Sequence, residues 1–207
     1  CTVYDNVSGK SWEVCVAITV IESADNLYGF IINSCYWVEL FPSDPAYPEI
    51  KAGTTDVMYT QEYHDGKVYA YGYDPSEWGE SLWNFYVMDP KTFVVEKELD
   101  MPAGFPFVYD MSYDYTTSTM FALAGPTEAE SDLYMVDMET GALTRVMEIE
   151  EMLISLAAGP EGKLYAMENN SSYLYVIDPA AGTYEFFSSV GISSMGISSM
   201  TYDYGTD

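Results

Sequence analysis

The sequence predicts an all-β protein, a β-propeller made of four-stranded antiparallel blades. Three observations predict it: a turn-plus-strand element recurs four times, a strand–turn–strand element follows it in each unit, and helical periodicity is nearly absent. A blade cannot bury both of its faces alone, so propellers repeat one supersecondary unit and show self-similarity at a period of roughly 40–50 residues.

The first element reads Asp25-Asn26-Leu27-Tyr28-Gly29, Gly66-Lys67-Val68-Tyr69-Ala70, Ser118-Thr119-Met120-Phe121-Ala122 and Gly162-Lys163-Leu164-Tyr165-Ala166. Its aromatic positions, 28, 69, 121 and 165, are 41, 52 and 44 residues apart, too far for a hairpin repeat and right for a four-stranded unit. The second element reads Phe85-Tyr86-Val87-Met88-Asp89-Pro90, Leu133-Tyr134-Met135-Val136-Asp137 with Gly141, and Leu174-Tyr175-Val176-Ile177-Asp178-Pro179 with Gly182; Trp37 to Pro42 is a degenerate copy. Asp and Pro open such turns and Gly takes the left-handed position that closes them. Between the elements lie β-branched and aromatic runs such as Val14 to Ile21 and Leu143 to Met147, which read as strands. The best helical candidate, Glu148 to Ala157, sits where a repeat begins and is followed by Gly159-Pro160, so it reads as loop plus strand.

These units divide the chain into a half blade at 1–13, blades at 14–53, 54–106, 107–152 and 153–198, and the start of a further blade at 199–207. Val3-Tyr4-Asp5 with Gly9 matches the second element of a blade, and Met200-Thr201-Tyr202-Asp203-Tyr204 repeats Met111-Ser112-Tyr113-Asp114-Tyr115. The expectation is an incomplete propeller, part of a larger ring, with a five-bladed ring closed by a three-stranded blade as the alternative. Exposed blade edges would then invite self-association.

Gly162 to Ala166 followed by Leu174 to Gly182 resembles the repeat of YVTN-type and quinoprotein-like propellers of bacterial extracellular proteins, over about residues 54–207. The resemblance implies architecture only, because such repeats serve adhesion, scaffolding and catalysis alike. Val7-Ser8-Gly9-Lys10-Ser11-Trp12 also resembles the tail of the Asp-box turn of sialidase-type propellers, with Val7 where the defining Asp would stand.

Composition bounds the function. The chain has 207 residues, and its 7 Lys+Arg against 33 Asp+Glu give a net charge of −26, which excludes a nucleic-acid binder that works by neutralising phosphates. Hydrophobic residues make up 48%, enough for a core, yet no run approaches the roughly 20 apolar residues of a membrane-spanning helix. Few lysines and many Asp, Tyr, Ser and Asn point to a secreted or cell-surface protein. Cys1, Cys15 and Cys35 are an odd set that cannot all pair internally, and whether Cys15 joins Cys35 stays open. Without a CxxC pair, and with His64 the only histidine, neither a zinc site nor a Cys–His nucleophile has its parts.

Candidate sites are sorted by how far they depart from what the repeat needs. Acid pairs suited to glycoside hydrolysis abound among 33 carboxylates, so Asp110 with Asp114, or Glu148 with Glu150 and Glu151, read first as turn and edge charges. No cofactor is expected; calcium would suit the acids, with Asp110, Asp114 and the stretch Asp203 to Asp207 as ligand candidates. His64, before Asp65-Gly66, reads as an exposed turn residue. The clearest departure is an insertion: Tyr69 and Tyr86 are 17 residues apart, against 10 between Tyr165 and Tyr175. It carries Tyr73, Asp74, Glu77, Trp78 and Trp83, aromatic and acidic side chains that stack on sugars or anchor a protein, and blade-end loops are where propellers place recognition. The alternative is that Trp78 or Trp83 packs the loop onto its neighbour. The expected function is a non-catalytic binding or scaffold module of a secreted or cell-surface bacterial protein that recognises glycan or protein through these five residues. The competing class is an extracellular lyase or glycoside hydrolase with catalytic residues partly outside this chain.

Overall fold

A computed structural model describes residues 2–4, 11–13, 16–20, 27–41, 44–77, 83–127, 130–191 and 199–202. A short hairpin, β1 (Thr2–Tyr4) with β2 (Ser11–Glu13), precedes four four-stranded sheets. Blade 1 is β3 (Val16–Val20), β4 (Leu27–Ile31), β5 (Tyr36–Phe41) and β6 (Asp44–Gly53). Blade 2 is β7 (Val57–His64), β8 (Lys67–Tyr73), β9 (Asn84–Met88) and β10 (Val95–Asp100). Blade 3 is β11 (Phe107–Asp114), β12 (Thr119–Gly125), β13 (Asp132–Val136) and β14 (Leu143–Met147), and blade 4 is β15 (Leu153–Ala158), β16 (Leu164–Glu168), β17 (Tyr173–Asp178) and β18 (Thr183–Ser189). Every blade is an antiparallel meander in chain order, and the first strands β3, β7, β11 and β15 are neighbours in succession. This is the expected β-propeller of four-stranded antiparallel blades, four of which lie among the described residues. Helical structure among the described residues is confined to three short 3₁₀ turns, and no helix there is long and apolar enough to cross a membrane.

Register makes the repeat concrete. Tyr28, Tyr69, Phe121 and Tyr165 pair with Thr19, Glu62, Ser112 and Ala157 on the inner side and with Glu39, Val87, Met135 and Val176 on the outer, so the four aromatics are structurally equivalent. In blades 2, 3 and 4 the innermost strand carries a bulge at matching places, before Thr60, Asp110 and Ser155. Such an insertion re-aims the side chains that follow it.

The strand-connecting turns are built as their composition dictates. Asp89 Oδ1 accepts from the amides of Lys91 and Thr92, Asp137 Oδ1 from Glu139 and Thr140, and Asp178 Oδ1 from Ala181. The left-handed residue four positions on is Gly141 (φ 69°) or Gly182 (φ 65°), but in blade 2 it is Phe93 (φ 54°). Phe93 holds that strained conformation because its ring stacks 4.4 Å from Trp37 of blade 1. Gly141 meets the same constraint from the other side: a Cβ there would lie 2.6 Å from the side chain of Phe85 in blade 2, and Tyr71 Oη donates to its carbonyl at 2.6 Å.

Among the described residues the core is therefore not one mass but three slabs, one at each seam. Phe30, Trp37, Met58, Tyr86 and Phe93 fill the seam of blades 1 and 2; Tyr71, Trp83, Phe85, Met111 and Met120 that of blades 2 and 3; Leu123, Leu133, Leu153, Leu156 and Ile177 that of blades 3 and 4. Each slab exists only where two blades meet, so stability grows by nearest-neighbour contacts.

Candidate functional site

The candidate site is a recess of about 370 Å³ at one end of blade 2, on the side of the β8–β9 connection. Sheet register assembles it. Gly72, Asn84 and Asp100 lie opposite one another across β8, β9 and β10, and Tyr86 lies opposite Glu98, so the period of two puts Asn84, Tyr86, Glu98 and Asp100 on one face. Gly72 faces them without a side chain. A Cβ there would stand 2.3 Å from the carbonyl oxygen of Val57 and 3.2 Å from the Tyr86 ring, so only glycine lets that ring lie across the strand. Asp56, just before β7, and Asp74, just after β8, close the recess with Trp83 and Met101.

Its polar groups are partly paired. Tyr86 Oη donates to Asp56 Oδ2 at 2.6 Å, and Asn84 Nδ2 donates to Tyr86 Oη at 3.2 Å and to Glu98 Oε1 at 3.1 Å. Burial and the Asp56 carboxylate push the Tyr86 phenol well above its ordinary range, which keeps it a donor. Desolvation, with Asp56 and Asp100 nearby, raises the Glu98 carboxyl, whereas bonds from the hydroxyl and amide of Ser76 lower Asp74. Among the described residues no Lys or Arg lines the recess, so four carboxylates face one cavity without a balancing cation from that set. They do not converge as a metal site: among the described residues no three His, Cys, Asp or Glu are grouped to hold an ion.

Of the five residues singled out in the insertion, Asp74 and Trp83 line the recess. Tyr73 meets Trp83 edge-on at 5.7 Å. Trp83 is 5% exposed and is also held edge-on by Tyr59 and Phe107, so it is a wall and not an open stacking platform. Glu77 ends the turn Pro75–Glu77, while its side chain and Trp78 lie outside the described residues. Asp56, Asn84, Glu98, Asp100 and Met101 were not picked out in the sequence; the usable signal was that Asn84, Tyr86, Glu98 and Asp100 alternate along two strands beside the insertion.

The other candidates have structural duties. Asp110, 2% exposed, accepts from Thr60 Oγ1 and the Met111 amide through Oδ1 and from the Leu156 amide through Oδ2, joining blades 2, 3 and 4. Asp114, fully buried, accepts from the Thr116 amide and Thr117 Oγ1 and shapes the β11–β12 turn. The stretch 203–207 and Cys1 and Cys15 lie outside the described residues. His64 is not an exposed turn residue: its ring is half-buried and stacks on Tyr113 at 3.5 Å, and desolvation lowers its pKa.

No family model matches the chain, and no curated protein matches it either. Among solved structures 452 chains resemble it, so the likeness is to a widespread architecture. One is a chain of the crystal structure of a nidogen/laminin complex, with a TM-score of 0.56 and 10% identity over 82% of this chain. This chain spans 62% of the length of that one, and at such identity the match shows the fold alone.

Proposed function

We propose that the protein is a non-catalytic binding or scaffold module that receives a basic side chain of a protein partner in the blade-2 recess. The observation that carries this reading is the set of carboxylates, Asp56, Asp74, Glu98 and Asp100, around one cavity with an aromatic wall and, among the described residues, no lining cation. Too dispersed to converge on a small ion, they suit an extended cation such as a lysine or arginine side chain, whose apolar stem can lie along Trp83 and Met101. The net charge of −26 would steer a basic partner toward the surface and make association salt-dependent. A secreted or cell-surface location accords with the low lysine content. Glycan stacking, the other chemistry suggested by the insertion, would fall to Trp78, since Trp83 is enclosed.

The test is a calorimetric titration at low salt with an arginine- and lysine-rich peptide, its citrulline and acetyl-lysine copy, and a panel of neutral and acidic glycans. The basic peptide should bind and its neutral copy should not. At about 0.5–1 kcal/mol for each partly exposed charge pair, the Glu98→Gln, Asp100→Asn double variant should bind roughly tenfold more weakly. Equal binding by parent and double variant, or binding of glycans alone, refutes the reading.

A further inference from the structure

The innermost strands are tied together by a recurring bond in which a side chain of one blade accepts an amide of the next. Glu62, Ser112 and Ala157 share one position of the repeat, and Thr60, Asp110 and Ser155 share another. From the first position Glu62 Oε1 accepts from the Tyr113 amide at 3.0 Å and Ser112 Oγ from the Ala158 amide at 2.9 Å. From the second, Asp110 Oδ2 accepts from the Leu156 amide at 2.8 Å, and Thr60 Oγ1 bonds to Asp110 Oδ1, which holds the Met111 amide.

Blade 4 departs from this pattern. Ala157 has no acceptor to offer, and Ser155, wholly buried, has an Oγ with no hydrogen-bond partner. A buried hydroxyl without a partner is unfavourable and marks a place where a group is meant to arrive. The sequence supplies that group. Met200-Thr201-Tyr202 repeats Met111-Ser112-Tyr113, so Met200 corresponds to Leu156, whose amide Asp110 of the preceding blade holds, and to Met111, whose amide is held by its own neighbour Asp110. Tyr202 is already in place: its ring lies 6.2 Å from that of Tyr165 with 18° between the planes, and a Cβ on Gly159 would be 3.5 Å from it. In blade 2 the residue equivalent to Gly159 is His64, which stacks on Tyr113. Tyr202 thus stands over blade 4 as Tyr113 stands over blade 2.

We propose that the face of blade 4 turned away from blade 3, carrying Ser155, Tyr165 and Phe187, is the docking surface for the segment Ser199–Tyr202, which seats as the innermost strand of a further blade with the Met200 amide donating to Ser155 Oγ. Phe187, exposed and edge-on to Tyr165 at 5.6 Å, extends the apolar ground on which that blade rests. With alanine at position 157, this seam has one amide bond where the seam of blades 3 and 4 has two, and it should open before that one.

Hydrogen exchange on the whole chain, read amide by amide by NMR, tests this at several protein concentrations. The Met200 amide should be protected at every concentration, and Ser155→Ala should speed its exchange by at least about tenfold while leaving the Leu156 and Ala158 amides unchanged. Tyr202→Ala, which leaves blade 4 itself intact, should speed Met200 exchange as well and serves if Ser155→Ala does not fold. Free-peptide exchange of Met200 in the parent, or unchanged protection in the variants, overturns the proposal. So does protection that appears only as the protein dimerises, because a second copy would then hold the face.

Discussion

Carboxylates in the centre of the propeller and those at the end of blade 2 are the same groups put to opposite uses. Asp110 accepts from Thr60 Oγ1 and the Leu156 amide and Glu62 from the Tyr113 amide, so each is spent on holding neighbouring blades together. In the recess, Asp100 lies opposite Asn84 on an outermost strand, and Glu98 accepts a single bond from Asn84. Depth and partners, not residue type, decide which acids are structure and which are available to a ligand. The centre offers buried amides with nowhere else to turn; the recess offers open space.

The largest effect that this contrast predicts follows from removing Asp110. Asp110→Ala leaves the Leu156 and Met111 amides and the Thr60 hydroxyl without their acceptor in a buried seam, at a cost of about 3 kcal/mol in urea unfolding. A loss below about 1 kcal/mol would mean that the blades do not rely on it.

Glu62 sharpens the contrast through pH. Desolvation outweighs the Tyr113 amide bond and raises its carboxyl from 4.5 to about 8, and Asp110, also raised by burial, faces it across the seam. A folded pKa above the unfolded value means stability that is complete below about pH 4.5 and lost as pH rises through 8. Thermal unfolding should therefore weaken by a few degrees between about pH 5 and 8.5. Glu62→Gln, which keeps an acceptor for Tyr113, should flatten that slope; an unchanged slope would remove Glu62 as its source.

Gly72 links the two regions, since it lets Tyr86 reach Asp56. Gly72→Ala should cost about 2 kcal/mol, because the contact it creates is with the backbone of Val57, and should also abolish peptide binding. The smallest effect is the recess itself: Glu98→Gln removes repulsion with Asp56 and Asp100 and should shift stability by no more than about 0.5 kcal/mol, toward greater stability at low salt.

The parts of this architecture that were legible in the sequence are those with local causes. Turn chemistry at Asp89, Asp137 and Asp178 and the aromatics at 28, 69, 121 and 165 repeat because each blade solves the same local problem, and the structure places them equivalently. Phe93 was not legible as a substitute for the turn glycine, because its left-handed backbone is stabilised by Trp37, 56 residues earlier. The recess was legible only at Asp74 and Trp83. Asp56 and Asp100 are 44 residues apart and meet through sheet register, and nothing local separates them from Asp110, whose oxygens are claimed by Thr60 of blade 2, the Met111 amide and the Leu156 amide of blade 4.

The central claim, that the propeller's acids divide into a structural centre and an available recess, is tested most directly by matched urea unfolding of Asp110→Asn and Asp100→Asn at pH 7. The amide nitrogen introduced at 110 would face a backbone N–H, whereas at 100 it faces the recess. Asp110→Asn should lose about 2 kcal/mol or more, and Asp100→Asn should stay within about 0.5 kcal/mol of the parent. Equal losses in the two variants would contradict the division.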